Sequence, residues 1–318
     1  MELPENLQTM LKTAASRADH KKLMCAAQSI SLRYRQGGAK GGRFIQSGEE
    51  ALAYAVSRMP ATYGAVCSSL KYMLESADLN IASLLDAGAG TGAATWAACE
   101  LLDLDSIVCV EADAHMGDLG KTLASPLKNV EWKNLDITGP ADLPQADLVV
   151  VSYTINEIDE NLRIKTAEKL WSAAKKALLF VETGTPAGYG IISKTRSSLL
   201  AKGAHIIAPC PHEGICPIEK PDWCHFVCRI QRSRLHRLAK DGDAPFEDEK
   251  YSYLVLAKEP TGSIGSYARI LRHPQIGKGH IKLDLCTKDG IKQATYSKSG
   301  GDIYKAAKKA GCGDRIEY

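Results

Sequence analysis

Residues 84–98 read LLDAGAGTGAATWAA, and the rest of this 318-residue chain is organised around them. An apolar run leads into Asp86, glycines follow at Gly88, Gly90 and Gly92, and a helical pattern begins directly afterwards. Glycine lets the backbone turn tightly and approach a ligand, and the first turn of the following helix points free N–H groups at it. The stretch therefore predicts a buried strand, a ligand-binding turn and a helix in succession.

Apolar runs of strand length alternate with helical segments after this turn. The runs are SLLDAGAG (83–90), SIVCVEAD (106–113), VEWKNLDI (130–137), ADLVVVSYT (146–154) and KALLFVETG (176–184). Strands that alternate with helices form parallel sheets that are covered on both faces. We therefore expect an α/β, Rossmann-like domain over residues 79–260, with AHIIAP (204–209) and KYSYLVLAKE (250–259) as further strands.

Two flanking regions have a different pattern. Residues 1–78 show apolar residues at three- and four-residue spacing, which predicts a helical N-terminal region interrupted by the glycine-rich loop RQGGAKGGR (35–43). Residues 261–318 contain short strand patterns and glycine turns and end in the helical segment DIYKAAKKA (302–310). We expect a small basic β module there, and a cysteine-rich metal insertion at 205–245 within the central domain.

The glycine turn resembles motif I of class I S-adenosylmethionine (SAM)-dependent methyltransferases, in which an acid precedes G-x-G-x-G. The resemblance implies that SAM contacts Asp86 and the three glycines. It also implies that Glu111 accepts the ribose hydroxyls and that Asp136 binds adenine. Ser152 and Tyr153 follow the fourth strand, at the carboxyl edge of the sheet, where ligands of open α/β folds bind. The alternative is that the glycines only shape a turn between a strand and a helix.

Catalytic residues are not identified by the sequence. Amino-methylating nucleic-acid enzymes commonly carry an Asn/Asp-Pro-Pro-aromatic motif after the fourth strand, where this chain has SYTINEI (152–158) without prolines. A cysteine of the kind that cytosine methylases use as a nucleophile is also missing from the pattern. These absences concern methyl transfer and leave the predicted binding of SAM unchanged.

Charge is distributed unevenly along the chain. The net charge is +3, but residues 201–318 alone contain 20 basic and 14 acidic side chains. A basic last third favours a phosphate-rich partner such as RNA. No apolar stretch approaches the ~20 residues that span a bilayer, and the N-terminus has no signal or transit pattern. We expect a cytoplasmic monomer without a membrane partner.

Cysteines are concentrated in the segment APCPHEGICPIEKPDWCHFVC (208–228). Cys210, Cys216 and Cys224 lie six and eight residues apart, and the fourth sulfur comes from Cys228 or Cys286. Thiolates at irregular spacing in a loop are typical of an iron–sulfur cluster or of zinc. Three thiolates with His212 or His225 would hold zinc equally well, and a set of free buried thiols is the remaining alternative.

A run of basic residues follows the cysteines directly. Its members are Arg229, Arg232, Arg234, Arg237 and Lys240. On a helix they lie largely on one face, next to the rings of Trp223, His225 and Phe226, and guanidinium groups beside aromatic rings are typical of RNA contact. The alternative is a solvated helix whose charges pair with EDEK (247–250).

The chain resembles the Rsm22 family of methyltransferase-like proteins of the mitochondrial and bacterial small ribosomal subunit. The matching segments are YRQGG (34–38), RMPATYGAV (58–66), LLDAGAGTGAATWA (84–97), VETGTPAGY (181–189), CPHEGICP (210–217), PDWCHF (221–226), FEDEKYSYLVLAK (246–258), GH (279–280) and LC (285–286). The resemblance implies small-subunit assembly and a 4Fe–4S cluster of four irons and four sulfides. Its implied ligands are Cys210, Cys216, Cys224 and Cys286 rather than Cys228.

Three functions follow from these patterns. The first is a SAM-dependent methyltransferase that acts on RNA of the small ribosomal subunit, and the second is a non-catalytic assembly factor that binds this RNA. The third is a small-molecule methyltransferase with a zinc site, which the basic last third disfavours. The intact glycine turn favours catalysis, whereas the missing acceptor motif favours the assembly role.

Overall fold

A computed structural model describes residues 1–35, 45–240, 242–261 and 267–317, so most of the predicted glycine-rich loop at 35–43 lies outside the described residues. Helices precede the sheet, as predicted. They are α1 (Glu5–Ser16), α2 (His20–Arg35), α3 (Gly48–Ser57) and α4 (Met59–Ser76). The Ser47 hydroxyl accepts a hydrogen bond from the Glu50 N–H at the start of α3, which satisfies one of the free donors of that helix end. In the part of the chain that the structure describes, no helix is long and apolar enough to cross a membrane.

The central domain alternates strands and helices along the chain. Its elements are β1 (Ser83–Ala87), α5 (Ala93–Leu101), β2 (Ser106–Glu111), α6 (Ala114–Leu123), β3 (Val130–Asn134), β4 (Ala146–Ser152), α7 (Glu160–Ala173), β5 (Ala174–Thr183), α8 (Pro186–Leu200), β6 (His205–Ala208), β7 (Phe226–Gln231), α9 (Arg234–Ala239) and β8 (Phe246–Ala257). The strand order is β3-β2-β1-β4-β5-β8-β6, in which β1 to β5 are parallel and β8 is antiparallel to its neighbours. The predicted Rossmann-like α/β fold is confirmed.

Successive residues of the central strands enter two separate cores. Leu84 of β1 packs in the core that includes Met59 of α4 and Trp96 of α5. Leu85, its neighbour, packs with Leu170 of α7 in the second core. Side chains of a strand alternate between the two faces of a sheet, so apolar runs such as β1 are buried on both sides.

The basic segment does not form the predicted single helix. Arg229 lies in β7, which pairs antiparallel with the first half of β8, and only α9 is helical. Arg232 lies between these two elements. The prediction of one basic helix face over 229–240 is therefore wrong, because pairing with β8 outweighs the local helical spacing.

The C-terminal residues form a second, antiparallel sheet with one helix. Its elements are β9 (Ala268–Ile270), β10 (Gln275–Gly277), β11 (His280–Thr287), β12 (Gly290–Ser297), α10 (Asp302–Lys309) and β13 (Arg315–Ile316). Ile270, Leu283 and Leu285 pack with Ala307 of α10. Arg269 is buried and donates hydrogen bonds to the carbonyl oxygens of Pro209 and Gly313, so this sheet is held against the segment that contains the cysteines.

Candidate functional site

The glycine turn after β1 requires glycine at each of its three predicted positions. Gly88, Gly90 and Gly92 have φ angles of 71°, 56° and 87°, in the left-handed region that favours glycine. A Cβ atom at Gly88 would also lie 2.6 Å from side-chain atoms of Thr154. The sequence therefore uses glycine here both for backbone conformation and for close packing against the chain that follows β4.

Asp86 is fully buried at the end of β1. One oxygen of its carboxyl group accepts hydrogen bonds from the N–H and the hydroxyl of Thr95, at 3.0 and 2.8 Å. The other oxygen has no hydrogen-bond partner among the residues that the structure describes. Burial raises the pKa of Asp86 to about 6. The side chain thus fixes the start of α5 and leaves one acceptor oxygen beside the glycine turn.

Glu111 ends β2, which lies next to β1 in the sheet. Its two carboxylate oxygens accept hydrogen bonds from the backbone N–H groups of Gly90, at 2.7 Å, and Asp113, at 2.8 Å. Burial raises the pKa of Glu111. A carboxylate has about four acceptor positions, so Glu111 can support the turn and still accept hydrogen bonds from a ligand.

Asp136 and Ser152 occupy less constrained positions at the same edge. Asp136 is exposed after β3, and its carboxylate accepts hydrogen bonds from the N–H and hydroxyl of Thr138, at 2.8 and 2.7 Å. Ser152 is half-buried at the end of β4. Because β1 to β4 are parallel, their carboxyl ends bring Asp86, Glu111 and Ser152 to one edge of the sheet.

Two features of this edge do not follow from the sequence pattern: the backbone conformation of Tyr153 and the burial of Glu182. Tyr153 has a φ angle of 55°, which is rare for a bulky residue, and its hydroxyl donates a hydrogen bond to Glu249 at 3.0 Å. Glu182, near the end of β5, is 1% exposed and accepts a hydrogen bond from the Asn156 N–H at 3.3 Å. Burial raises the pKa of Glu182 to about 8. In the sequence, Glu182 stands out only as an acid at the end of the apolar run KALLFVETG (176–184). In the structure, its hydrogen bond with the Asn156 N–H anchors the turn at 155–157.

Four of the predicted metal ligands line one cavity, which we call the cysteine cavity. They are Cys210, Cys216 and Cys224, from the irregular segment between β6 and β7, and Cys286, from β11. The sulfur of Cys228 instead lies against Gly64 of α4. Cysteines far apart in the sequence therefore line one cavity, which includes Cys286 but not Cys228.

The chemistry of the cysteine cavity suits a thiolate-bound metal group, although the described residues include no group of three or more Cys, His, Asp or Glu side chains arranged to hold a metal ion. Burial raises the pKa of Cys210 and Cys224, and that of Cys286 to about 12. Neighbouring buried thiols become thiolates together only when a cation compensates their charge. The metal site predicted for the insertion at 205–245 is not shown, but four cysteine sulfur atoms are a donor set that fits a thiolate-bound metal group.

Two polar atoms of the cavity lining point to the same kind of occupant. The Arg196 Nε atom and the Tyr253 hydroxyl are buried and have no hydrogen-bond partner among the described residues. His212, the alternative zinc ligand, places its Nε2 atom 3.7 Å from the Cys286 sulfur. The His225 ring, by contrast, lies against Trp223.

Acidic residues of β8 neutralise most of the basic segment. Arg229 forms two hydrogen bonds with Asp248, at 2.7 and 2.8 Å. Arg232 and Lys240 both form ion pairs with Glu247. The pairing with EDEK therefore occurs, and among the described residues only two members of the segment, Arg234 and Arg237, have side chains outside such pairs.

One protein-family model and several known proteins are similar to this chain. A model of the family described as "Mitochondrial small ribosomal subunit Rsm22" matches residues 48–317. The human protein named "Ribosome assembly protein METTL17, mitochondrial" is 25% identical over 289 residues, which cover 83% of this chain and 62% of that protein. Two Rsm22-cox11 tandem proteins of Schizosaccharomyces pombe are each 26% identical over 330 residues, covering 83% of this chain and 43% of each protein.

The chain thus spans only about half the length of these relatives. Among solved structures, a SAM-dependent methyltransferase from Aquifex aeolicus is similar with a TM-score of 0.43 and 13% identity, covering 68% of this chain and 100% of that one. The predicted cytoplasmic location is wrong, because the family and the relatives that match are described as mitochondrial.

Proposed function

The chain belongs to the Rsm22 family of the mitochondrial small ribosomal subunit, and from that premise we propose that it is a SAM-binding, methyltransferase-like protein that acts on the small ribosomal subunit. Its substrate in this proposal is ribosomal RNA or its precursor. One observation carries the proposal. Three left-handed glycines, a buried acid at the end of β1 and a second acid at the end of β2 occupy one edge of a parallel sheet.

Residues of this edge account for cofactor binding in the proposal. Asp86, Gly88, Gly90 and Gly92 hold the amino-acid part of SAM, while Glu111 binds the ribose hydroxyls. Asp136 and Ser152 line the remainder of the site. SAM supplies an activated methyl group when it is bound, and the protein contributes mainly by positioning the acceptor. In this proposal the acceptor is placed beside the turn at 155–157, which follows Thr154, packed on Gly88, and is anchored by Glu182.

Transfer of labelled methyl groups tests this activity. Immature small subunits are incubated with the protein and SAM labelled in its methyl group, and label in the RNA is measured. We expect label with the wild type and none with Asp86→Ala. Asp142→Ala, which changes an exposed acid, is the matched control. Unlabelled RNA with the wild type, despite bound SAM, would exclude methyl transfer.

A non-catalytic assembly factor is the second candidate, and a specific observation favours it. The segment after β4 contains no Pro-Pro-aromatic motif. A short turn at 155–157 occupies that place, with the Asn156 N–H bonded to Glu182 and the Asn156 carbonyl bonded to Arg163. In this case SAM binding stabilises the protein on the ribosomal subunit. Deletion of the gene then impairs subunit assembly, and a variant that binds SAM but transfers no methyl group restores it.

We also propose a 4Fe–4S cluster in the cysteine cavity, with Cys210, Cys216, Cys224 and Cys286 as its ligands. Support comes from the grouping of four sulfur donors, the unpaired Arg196 Nε atom and the family resemblance. Since Cys286 lies in the C-terminal sheet, the cluster joins that sheet to the central domain. Zinc bound by three of the thiolates and His212 is the alternative, and metal analysis of anaerobically purified protein distinguishes the two.

Contact with ribosomal RNA is the last part of the proposal. The predicted residues were Arg229, Arg232, Arg234, Arg237 and Lys240. Support is strongest for Arg234, which is exposed, and for Arg237, because neither belongs to an ion pair among the described residues. Phosphate groups are the natural partners of unpaired guanidinium groups. The remaining three residues have carboxylate partners in β8 and contribute less.

A further inference from the structure

Helix α8 presents a second set of polar groups to the cysteine cavity. Tyr189 and Arg196 are seven residues apart, which places them on one face of the helix, and both line the cavity with Ser193 between them. None of the four cysteines belongs to α8. The helix therefore supplies the surroundings of the sulfur atoms rather than the ligands themselves.

The hydroxyl of Tyr189 donates a hydrogen bond to the Cys216 sulfur at 3.2 Å. The tyrosine is half-buried, and its neighbouring turn is fixed because the Thr185 hydroxyl accepts a hydrogen bond from the Gly188 N–H. The hydroxyl thus contacts a predicted metal ligand directly, from a rigid helix end.

Arg196 lines the cavity about two turns further along α8. One terminal nitrogen donates hydrogen bonds to the carbonyl oxygens of His212 and Gly214, at 3.0 and 2.7 Å. The guanidinium group is buried, and its Nε–H has no acceptor among the described residues. A buried cation with an unpaired donor is costly unless an anion lies beside it, and four metal-bound thiolates provide that negative charge.

We propose that Tyr189 and Arg196 tune the reduction potential of the cluster in the cysteine cavity, Tyr189 by its hydrogen bond to Cys216 and Arg196 by its charge and free Nε–H. This inference rests on the proposed cluster. Hydrogen bonds and positive charge near the sulfur atoms stabilise the more negative, reduced form of an iron–sulfur centre. Both side chains therefore raise the potential.

Tyr189→Phe is the decisive variant, since it removes one hydroxyl and keeps the ring. Full-length protein is purified anaerobically, iron and sulfide are determined, and the midpoint potential is measured by a mediated redox titration followed by electron paramagnetic resonance. We expect wild-type iron and sulfide content with a midpoint potential shifted to more negative values. Arg196→Gln shifts it in the same direction, whereas Ser193→Ala, which lines the same cavity, leaves it unchanged.

The two proposals fail in different ways. Tyr189→Phe protein that contains the full cluster and titrates at the wild-type potential would overturn the tuning role and leave the cluster itself intact. Wild-type protein that contains zinc, or neither iron nor sulfide, would overturn the cluster and the tuning role together. If Arg196→Gln does not fold, Tyr189→Phe and Ser193→Ala still decide the matter.

Discussion

The backbone N–H of Gly90 donates a hydrogen bond to the Glu111 carboxylate at 2.7 Å, so the glycine turn and the end of β2 hold each other in place. The two residues are 21 positions apart: Gly90 lies in the turn after β1, and Glu111 ends β2, the parallel neighbour of β1. This bond fixes the carboxylate at the edge where the ribose of SAM is proposed to bind. Glu111 therefore supports the shape of the turn, and in the proposal it also binds the ribose hydroxyls.

Replacing Glu111 should weaken SAM binding. A hydrogen bond to a charged group contributes about 1.5–3 kcal/mol, so Glu111→Ala should lower the affinity roughly ten- to a hundred-fold. Glu111→Gln keeps an acceptor for the Gly90 N–H and should lose less affinity for SAM than Glu111→Ala. Isothermal titration calorimetry measures both, with Asp118→Ala, an exposed acid of α6, as the control. Equal affinities in all four proteins would remove Glu111 from the binding site.

Glu182 should make the stability of the protein depend on pH. Burial raises its pKa from 4.5 to about 8, so the folded state binds a proton that the unfolded state has already released. The contribution of Glu182 to the stability of the folded state is complete below pH 4.5 and is lost as the pH rises through 8. One pKa unit corresponds to about 1.4 kcal/mol. Relative to that of the wild type, the free energy of unfolding of Glu182→Gln should therefore rise by on the order of a few kcal/mol between pH 5 and pH 9.

Urea unfolding of both proteins at several pH values measures this difference. Asp142→Asn, which changes an exposed acid, is the control and should follow the wild-type curve. A constant difference between wild type and Glu182→Gln from pH 5 to pH 9 would mean that Glu182 is ionised in the folded protein. The anchoring of the 155–157 turn would then need a charged carboxylate.

The sheet could be predicted because short, local sequence patterns specify its strands and its glycine turn. The runs that became β1 and β4 are apolar enough to be buried on both faces, and the three glycines specify the turn. The strand β7 was not predictable in this way. Basic residues at three- and four-residue spacing after Phe226 resemble a helix face, and only the distant partner β8 turns the first part into a strand.

The roles of Glu182 and Tyr189 depend on contacts of the same kind. Glu182 is part of an ordinary strand pattern until the Asn156 N–H bonds to it, 26 positions away. Tyr189 is one aromatic residue on a helix until Cys216 lies 3.2 Å from its hydroxyl. Hydrogen bonds between distant segments decide which polar residues belong to a site. The spacing of residue types along the chain does not predict these bonds.

Arg234 should contribute to the salt dependence of RNA binding. It is exposed and outside the ion pairs with β8, whereas Arg229 is paired with Asp248. If Arg234 contacts phosphate, Arg234→Gln should reduce the slope of log affinity against log salt by about one unit. Arg229→Gln, the matched control, should change the slope less. Filter binding of small-subunit RNA over a range of salt concentrations gives the slopes. Equal slopes for the wild type and Arg234→Gln would show that Arg234 does not contact phosphate.

Cys286 should be required for the metal centre, and Cys228 should not. Cys286 lines the cysteine cavity from β11, while the Cys228 sulfur lies against α4. Cys286→Ser should therefore abolish the brown colour and the iron and sulfide content of anaerobically purified protein. It should also make residues 267–317 more sensitive to proteolysis, because the cluster no longer joins the C-terminal sheet to the central domain.

Cys228→Ser is the natural control, since it changes a buried cysteine of the same chain outside the cavity. It should keep both the metal and the resistance of the C-terminal sheet to proteolysis. Loss of iron and sulfide from Cys228→Ser, with full retention in Cys286→Ser, would reverse the ligand assignment. The proteolysis measurement separates the ligand role from folding: if Cys286→Ser loses the cluster but keeps wild-type resistance, the cluster binds across the two sheets without holding them together.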